Sequence, residues 1–455
     1  MQEDRLRSAL EKIYRAALRA VDPAAAVRRS LRRQDEWLQA GKHSYNLKEF
    51  RRVFLVGGGK AGAAMAGAVE LILGDRLQAG LVVVKKGSRA PARALKRTQL
   101  LEAGHPEPNE AGWRASRQMF DFLGENLSRH DLLLVVLSGG GSALLCAPVP
   151  EVSFQDKKKT TSVLLRSGAT IQEMNAIRKH LSKIKGGRLL RHTQGARVIT
   201  LMLSDVVGDD PASIASGPTA PDPTTFEDCL EIIRRYGLRN QLPAAVLKHL
   251  EKGARAAPNQ ASARETLKTG DARFEKVQNI LVASNILALK AAARQADRLG
   301  FKPLILSSSF YGNTADLARF QVSIAREVLD TGNPIRPPCC LISGGETTIR
   351  VNGDGKGGRN QEFALWCVRE TADWGEAPVL FAAIGSDGED GPTDAAGALA
   401  TPESSRRAAD MNLSVEDHLE RNDSYPFFKA LGDLIVTGPT GTNVMDIQLV
   451  LIDQL

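Results

Sequence analysis

Two rhythms alternate along this chain. Short, nearly uninterrupted apolar runs recur at Val53–Val56, Gly80–Val84, Leu132–Leu137 and Val198–Leu203. Continuous runs of this kind predict strands buried on both faces. Between them, Ala61–Leu73, Gly112–Leu123 and Asn175–Leu190 carry helical periodicity. The N-terminal segment from Asp4 to about Leu38 is helical in rhythm too, interrupted at Asp22-Pro23, where Asp22 can cap the helix that follows.

Residues 253–273 lack an apolar core pattern and predict a linker or exposed excursion. The alternation then restarts. Strands are expected at Ile280–Ala283, Pro303–Leu306, Cys339–Ile342, Thr347–Val351, Val379–Ala383, Leu434–Val436 and Val444–Ile452. Helices are expected near Ile286–Leu299, Thr314–Leu329 and Phe363–Arg369. The last strand is long and follows a glycine-rich loop, so an antiparallel course is expected. The pattern defines an α/β protein of two α/β domains, residues 1–252 and 274–455. A largely parallel sheet is expected in the first and a mixed sheet in the second. Glycine-rich strand ends occur in both, which puts the expected active-site cleft between them.

Composition narrows the class. A length of 455 residues suits two domains. No stretch reaches the roughly 18 apolar residues of a membrane span. The N-terminus mixes Glu3, Asp4 and Glu11 with arginines, unlike a signal peptide. Five scattered cysteines without a C-x-x-C pair suit a reducing cytoplasm and exclude a disulfide framework or zinc site. The net charge of +8 is concentrated near Arg28, Arg29, Arg32 and Arg33, but aromatics are only 5%. With no nucleic-acid-binding signature present, the excess reads as a solvated helix face, compatible with an anionic substrate.

Chemistry concentrates in loops after strands. Gly57-Gly58-Gly59-Lys60 follows the first apolar run and precedes a helix. Glycines there let the backbone approach a ligand, the helix N-terminus attracts negative charge, and Lys60 adds a mobile cation. Gly57-x-Gly59-x-x-Gly62 has the dinucleotide spacing, yet the next strand ends in Lys85-Lys86 where an acid should read the ribose. That argues against NAD, while NADP is tolerated. Lys60 is followed by alanine, so a Walker loop fails as well.

The second loop, Ser138-Gly139-Gly140-Gly141-Ser142, pairs glycines with hydroxyls suited to phosphate oxygens. The third, Ser343-Gly344-Gly345-Glu346, is expected directly after a strand, with Glu346 facing a cation, a substrate hydroxyl or only the backbone. Arg359, at the entrance of a helix, can fork onto a carboxylate or phosphate. Asn360 beside it serves as a ligand contact or a cap.

Two acidic clusters follow strands, Asp205–Asp210 and Asp387–Asp394. Asp205 and Asp387 come first in each and are the candidate magnesium anchors; Asp209, Asp390 and Asp394 also suit turns. His105, at a strand-to-loop junction, is a candidate substrate contact. His180 lies among Arg178, Lys179, Lys183 and Lys185, which together predict a solvated basic helix face.

Taken together, several segments resemble the class II glycerate kinases, whose C-terminal part is the MOFRL domain. They are Gly58–Ala61, Leu137–Leu144, Asn175–Lys179, Leu203–Asp209, Ser216–Pro218, Ser343–Glu346, Gly358–Glu362, Ser386–Gly388 and Gly438–Asn443. The resemblance covers roughly residues 5–455. It implies a Rossmann-like N-terminal domain, a different C-terminal α/β domain, and magnesium-dependent transfer of the ATP γ-phosphate to D-glycerate. It implies that Lys60 and Arg359 are the central pair. Lys60 would then stabilise the migrating phosphoryl, and Arg359 would hold the glycerate carboxylate or that phosphoryl. Asp205 or Asp387 would anchor Mg2+ or accept the hydroxyl proton. The remaining nucleotide contacts would be Gly58, Gly59, Ser138, Gly139, Gly140, Gly141, Ser142, Gly344, Gly345, Glu346 and Asn360.

The class II resemblance favours 2-phosphoglycerate over 3-phosphoglycerate. The alternatives are an NADPH-dependent hydroxypyruvate reductase, a label often given to this family, and a non-catalytic sugar-phosphate-binding module. Self-association is left open.

Overall fold

The computed structural model describes residues 2–88, 95–256 and 265–454. The chain forms two compact units: Pro23–Ser204 with Asp209–Val282, and Met1–Asp22 with Asp205–Gly208 and Ala283–Leu455. The division therefore differs from the expected seam at 253–273. Strand Val277–Ala283, expected to open the second domain, instead closes the first sheet. The N-terminal helix Gln2–Ala20 belongs to the same unit as helix Asn285–Arg298 and packs on it. Of the expected linker, 257–264 lies outside the described residues. Its flanks are built into the fold: helix Ala244–Ala254 precedes it, and Asp222 N and Leu267 N donate to Leu267 O and Gly186 O, each at 2.9 Å.

In the first unit, helix Pro23–Ser30 stops well before Leu38, the end expected from periodicity. Asp35, at φ 51°, turns β1 (Leu31–Gln34) back onto β2 (Trp37–Ala40), and β3 (His43–Asn46) completes a three-stranded antiparallel sheet. The main sheet holds β4 (Val53–Gly58), β5 (Leu77–Lys85), β6 (Thr98–Ala103), β7 (Leu132–Leu137), β8 (Arg197–Leu203) and β9 (Val277–Ala283). Its order is β6-β5-β4-β7-β8-β9, and β4 runs parallel to both β5 and β7. Every residue of β4 and β7 is buried, as continuous apolar runs require. This is a doubly wound order whose direction of growth reverses between β4 and β7. Ligands of such sheets bind outside the C-terminal strand ends at that switch point.

The second unit carries β10 (Lys302–Asn313), β11 (Cys339–Thr348), β12 (Val379–Gly385), β13 (Gly397–Ala400), β14 (Leu434–Ile435) and β15 (Asp446–Ile452). They are ordered β10-β11-β15-β12-β13-β14. β10 and β11 are parallel, and β15 is antiparallel to both β11 and β12, as its sequence led one to expect. Phe363, Leu365 and Cys367 of helix Arg359–Glu370 share a core with Phe381 and Val450 of the sheet. One expectation fails here: Ser343–Glu346 is no loop but the middle of β11. A Cβ on Gly345, at φ 140°, would lie 2.0 Å from the Phe310 carbonyl oxygen; one on Gly344 would lie 2.1 Å from Asn285 Oδ1. These glycines let backbone and side chains approach within the sheet, and the strand continues through them.

Candidate active site

At the switch point, the first two glycine loops are stitched into one structure. Lys60 N donates to Gly139 O at 2.8 Å, and Ala61 N donates to Ser138 Oγ at 3.0 Å. Ser138 thus satisfies an N–H at the mouth of helix Gly62–Leu73, whose own N-cap residue, Ala61, has no side chain able to do so. Gly140 adopts φ 76°, and a Cβ there would stand 2.8 Å from His105 Cδ2 and 3.1 Å from Lys60 Cγ. Lys60, His105 and Gly140 therefore share one wall. Burial, reinforced by Lys60 and Lys85, pushes the His105 imidazole down to about 4. It is neutral at physiological pH and serves as a donor or acceptor, not as a cation.

Beyond Gly140, the hydroxyl of Ser142 is a hub. It accepts from Arg178 Nη2 at 2.7 Å and Lys185 Nζ at 3.0 Å, and meets Ser216 Oγ at 2.9 Å. Both cations can only donate, so the Ser142 proton is left for Ser216. The solvated basic face expected around His180 is overturned by this arrangement. Helix Ile171–His180 ends at His180, and Ser182 Oγ accepts from Ile184 N and Lys185 N, turning the chain inward. Lys179, His180 and Lys185 are buried, while Arg178 and Lys183 are half-buried. Lys179 pairs with Asp222 at 3.2 Å. His180 sets its two ring nitrogens 2.7 Å from Ala176 O and Glu265 Oε1. Arg178 and Ser216 were absent from the expected site, although both lie in segments that carried the family resemblance.

In the other unit, Arg359 opens its helix and sets Nε 2.6 Å from Asp446 Oδ2 and Nη2 3.1 Å from Asp446 Oδ1. Its Nη1 donates to Glu346 at 2.9 Å. Burial opposes the guanidinium charge, but Asp446 and Glu346 hold it above its usual range. Asp446 itself, wholly buried at the start of β15, is pushed up to about 6 by burial against the pull of Arg359. It was not among the expected site residues, because a single aspartate entering a strand carries no motif. Asn360 neither caps the helix nor presents its amide nitrogen to a ligand: it is buried, and Nδ2 donates to Asp390 at 3.2 Å and Asp446 at 3.0 Å. Asp390 is the carboxylate at the helix entrance, accepting from the backbone N–H of Asn360 and Gln361.

Asp387 sits half-exposed in the turn after β12. Its Oδ1 accepts from Glu389 N at 3.2 Å, and Oδ2 accepts no hydrogen bond among the described residues. Thr440 and Val444 tie the 438–443 loop to this turn through Asp387 O, Ser386 O and Ser386 Oγ. Asp205, half-buried, packs with this same unit. Among the described residues, no three His, Cys, Asp or Glu side chains gather to hold a metal by themselves. A nucleotide-borne Mg2+ keeps several waters and takes only one or two protein carboxylates, a demand that the open oxygen of Asp387 fits.

A doubly wound sheet with a lysine and hydroxyl-bearing glycine loops at its switch point defines an anion-binding α/β protein. Here it is joined in one chain to a second α/β unit in which a half-buried arginine, Arg359, pairs with the buried Asp446. A domain of unknown function, DUF4147, matches residues 9–251, and the MOFRL family matches residues 339–446. Glycerate 2-kinase of Pyrococcus horikoshii is 39% identical over 96% of this chain and 95% of its own. A putative hydroxypyruvate reductase of Agrobacterium vitis is 41% identical over 98% of this chain and 94% of its own. The crystal structure of glycerate kinase from Thermotoga maritima superposes with a TM-score of 0.85, at 35% identity, over 98% of this chain and 99% of that one. The chain belongs to the glycerate kinase family in its DUF4147–MOFRL form.

Proposed function

We propose that this enzyme transfers the γ-phosphoryl of ATP to D-glycerate and forms 2-phosphoglycerate. The observation that carries the reading is the stitched pair of glycine loops, which sets Lys60 and the Ser142 hydroxyl at the switch point of the sheet. Phosphoryl transfer requires positioning and charge neutralisation more than covalent chemistry, and these groups supply both. In this reading Lys60 neutralises the migrating phosphoryl, and the backbone of Gly58, Gly59 and Ser138–Ser142 shapes the cradle around its oxygens.

Arg359, already ion-paired, offers its remaining N–H groups to the glycerate carboxylate or the phosphoryl, and Glu346 and Asp446 hold its plane. Gly344, Gly345 and Asn360 act by shaping this arrangement. Asp205 or Asp387 accepts the hydroxyl proton, the other anchoring Mg2+. Bound Mg2+ would supply charge neutralisation on the phosphate oxygens. Five buried free thiols are consistent with a cytoplasmic location.

The test is to incubate the protein with D-glycerate, ATP and magnesium and follow ADP release, with hydroxypyruvate and NADPH in parallel. ADP release and 2-phosphoglycerate in the product are expected. NADPH oxidation without ADP formation would overturn the kinase in favour of the reductase. Lys60→Ala should abolish ADP release while preserving the fold.

A further inference from the structure

Arg178 and Lys185 gather on Ser142, with Lys157 held at Leu181 nearby in the chain's fold, and no carboxylate among the described residues balances the three. Lys185 is 1% exposed and Lys157 6%, and Arg178 forms the half-buried rim. Lys185 Nζ donates to Ser142 O and Oγ, Arg178 to Ser142 Oγ and Asn175 Oδ1, and Lys157 Nζ to Leu181 O. None of the three forms an ion pair among the described residues. A neighbour shows that the chain can balance such a charge: Lys179, next in sequence to Arg178, has Asp222 at 3.2 Å. Gathering like charges out of water is costly unless something of opposite sign joins them. The cost shows in the lysines. Burial, helped by Arg178, pushes Lys157 down to about 8, and burial with Arg178 and Lys157 pulls Lys185 well below its ordinary value.

We propose that Ser142, Lys157, Arg178 and Lys185 form a phosphate seat that receives a phosphoryl group of the nucleotide or of the phosphorylated product. The inference rests on the kinase reading for the source of that group. A carboxylate would bring one negative charge and two oxygens to three cations. A terminal phosphoryl brings about two charges and three acceptor oxygens, one for each cation. The seat adjoins the reacting groups, because Ser142 follows by two residues the glycine that packs on Lys60 and His105. Ser142 Oγ, a neutral oxygen ringed by two donors, marks where the anion's oxygen enters.

Calorimetric titration of wild type, Lys185→Met and Ser142→Ala with pyrophosphate, ATP, 2-phosphoglycerate and D-glycerate tests the seat. In both variants, affinity for pyrophosphate should fall about 10- to 100-fold, the effect of losing one charge-assisted contact. D-glycerate affinity should stay within about twofold. A loss shared with ATP assigns the seat to the nucleotide, and one shared with 2-phosphoglycerate assigns it to the product. Without ligand, Lys185→Met should melt no lower than wild type, because it removes a buried unbalanced charge; a purely structural lysine would give a lower melting temperature.

Unchanged pyrophosphate affinity in both variants, or a loss confined to D-glycerate, overturns the seat. That failure is distinct from failure of the kinase reading, in which wild type would bind pyrophosphate yet release no ADP with D-glycerate.

Discussion

Replacing Gly140 by alanine isolates the contact on which the proposed mechanism depends. The residue sits at φ 76°, so any Cβ adds left-handed strain of about 1–2 kcal/mol. The added atom also falls 2.8 Å from His105 Cδ2 and 3.1 Å from Lys60 Cγ. Ordinary carbon contacts begin near 3.5 Å, so His105 must retreat by roughly 0.7 Å and Lys60 by roughly 0.4 Å. A displacement of about 1 Å in a reacting group can cost about 100-fold, so kcat/KM should fall about 10- to 100-fold. Gly168→Ala is the control. It has φ 78° with nothing within 4 Å, and so carries the strain without the collision. Coupled measurement of ADP release, with chemical denaturation in parallel, separates the two effects. Both variants should lose about 1–2 kcal/mol of stability, and only Gly140→Ala should lose activity. Equal activities in the two variants would refute the placement of Lys60 and His105 against this loop.

The other predictions concern titration. Lys157 is held near 8 in the folded chain against an ordinary 10.5, so pyrophosphate affinity should weaken as pH rises through about 8. Between those values the unfolded chain binds the extra proton, so ligand-free stability should gain from this group as pH rises from 8 to 10.5, as thermal melts can show. Asp446, pushed up to about 6, takes a proton as pH falls through that value and loosens its grip on Arg359. kcat/KM should then decline on the acid side near 6, and Asp446→Asn should show a low, flat profile there. Glu265 is held down to about 2 from an ordinary 4.5: burial pushes it up, but the His180 hydrogen bond and charge prevail. Its stabilisation is present above 4.5 and is lost as pH falls toward 2. Glu265→Gln, which strips a buried histidine of its charged partner, should cost about 3 kcal/mol in urea denaturation at pH 7 and remove that acid sensitivity.

What could be read from the sequence depended on how completely an element is buried. β4 and β7 are central in a parallel sheet, so both faces demand apolar residues and the runs stand out. β6 is an edge strand, Thr-Gln-Leu-Leu-Glu-Ala, and its mixed polarity kept it out of the apolar runs, so that only the junction at His105 hinted at it. β1 to β3 were masked for the same reason, their arginines and glutamines continuing a helical rhythm past Ser30. In β11 the error ran the other way. Gly344 and Gly345 look like a loop because glycine usually punctuates, but here they thin a strand so that Phe310 and Asn285 can approach.

The same limit explains the candidate site. Lys60 and the serine–glycine loops were legible because backbone geometry at a switch point demands glycine, a local requirement with a local signature. The burial of Arg178 and Lys185 has no such signature. Arg178, Lys179, Lys183 and Lys185 are read as facing water, and only the inward turn at Ser182 reverses that. Burial of a charge is a tertiary fact, set by what packs over the helix and not by the helix itself. A buried charge that no carboxylate balances among the described residues is therefore informative about function: the fold tolerates its cost, and a bound anion would return it.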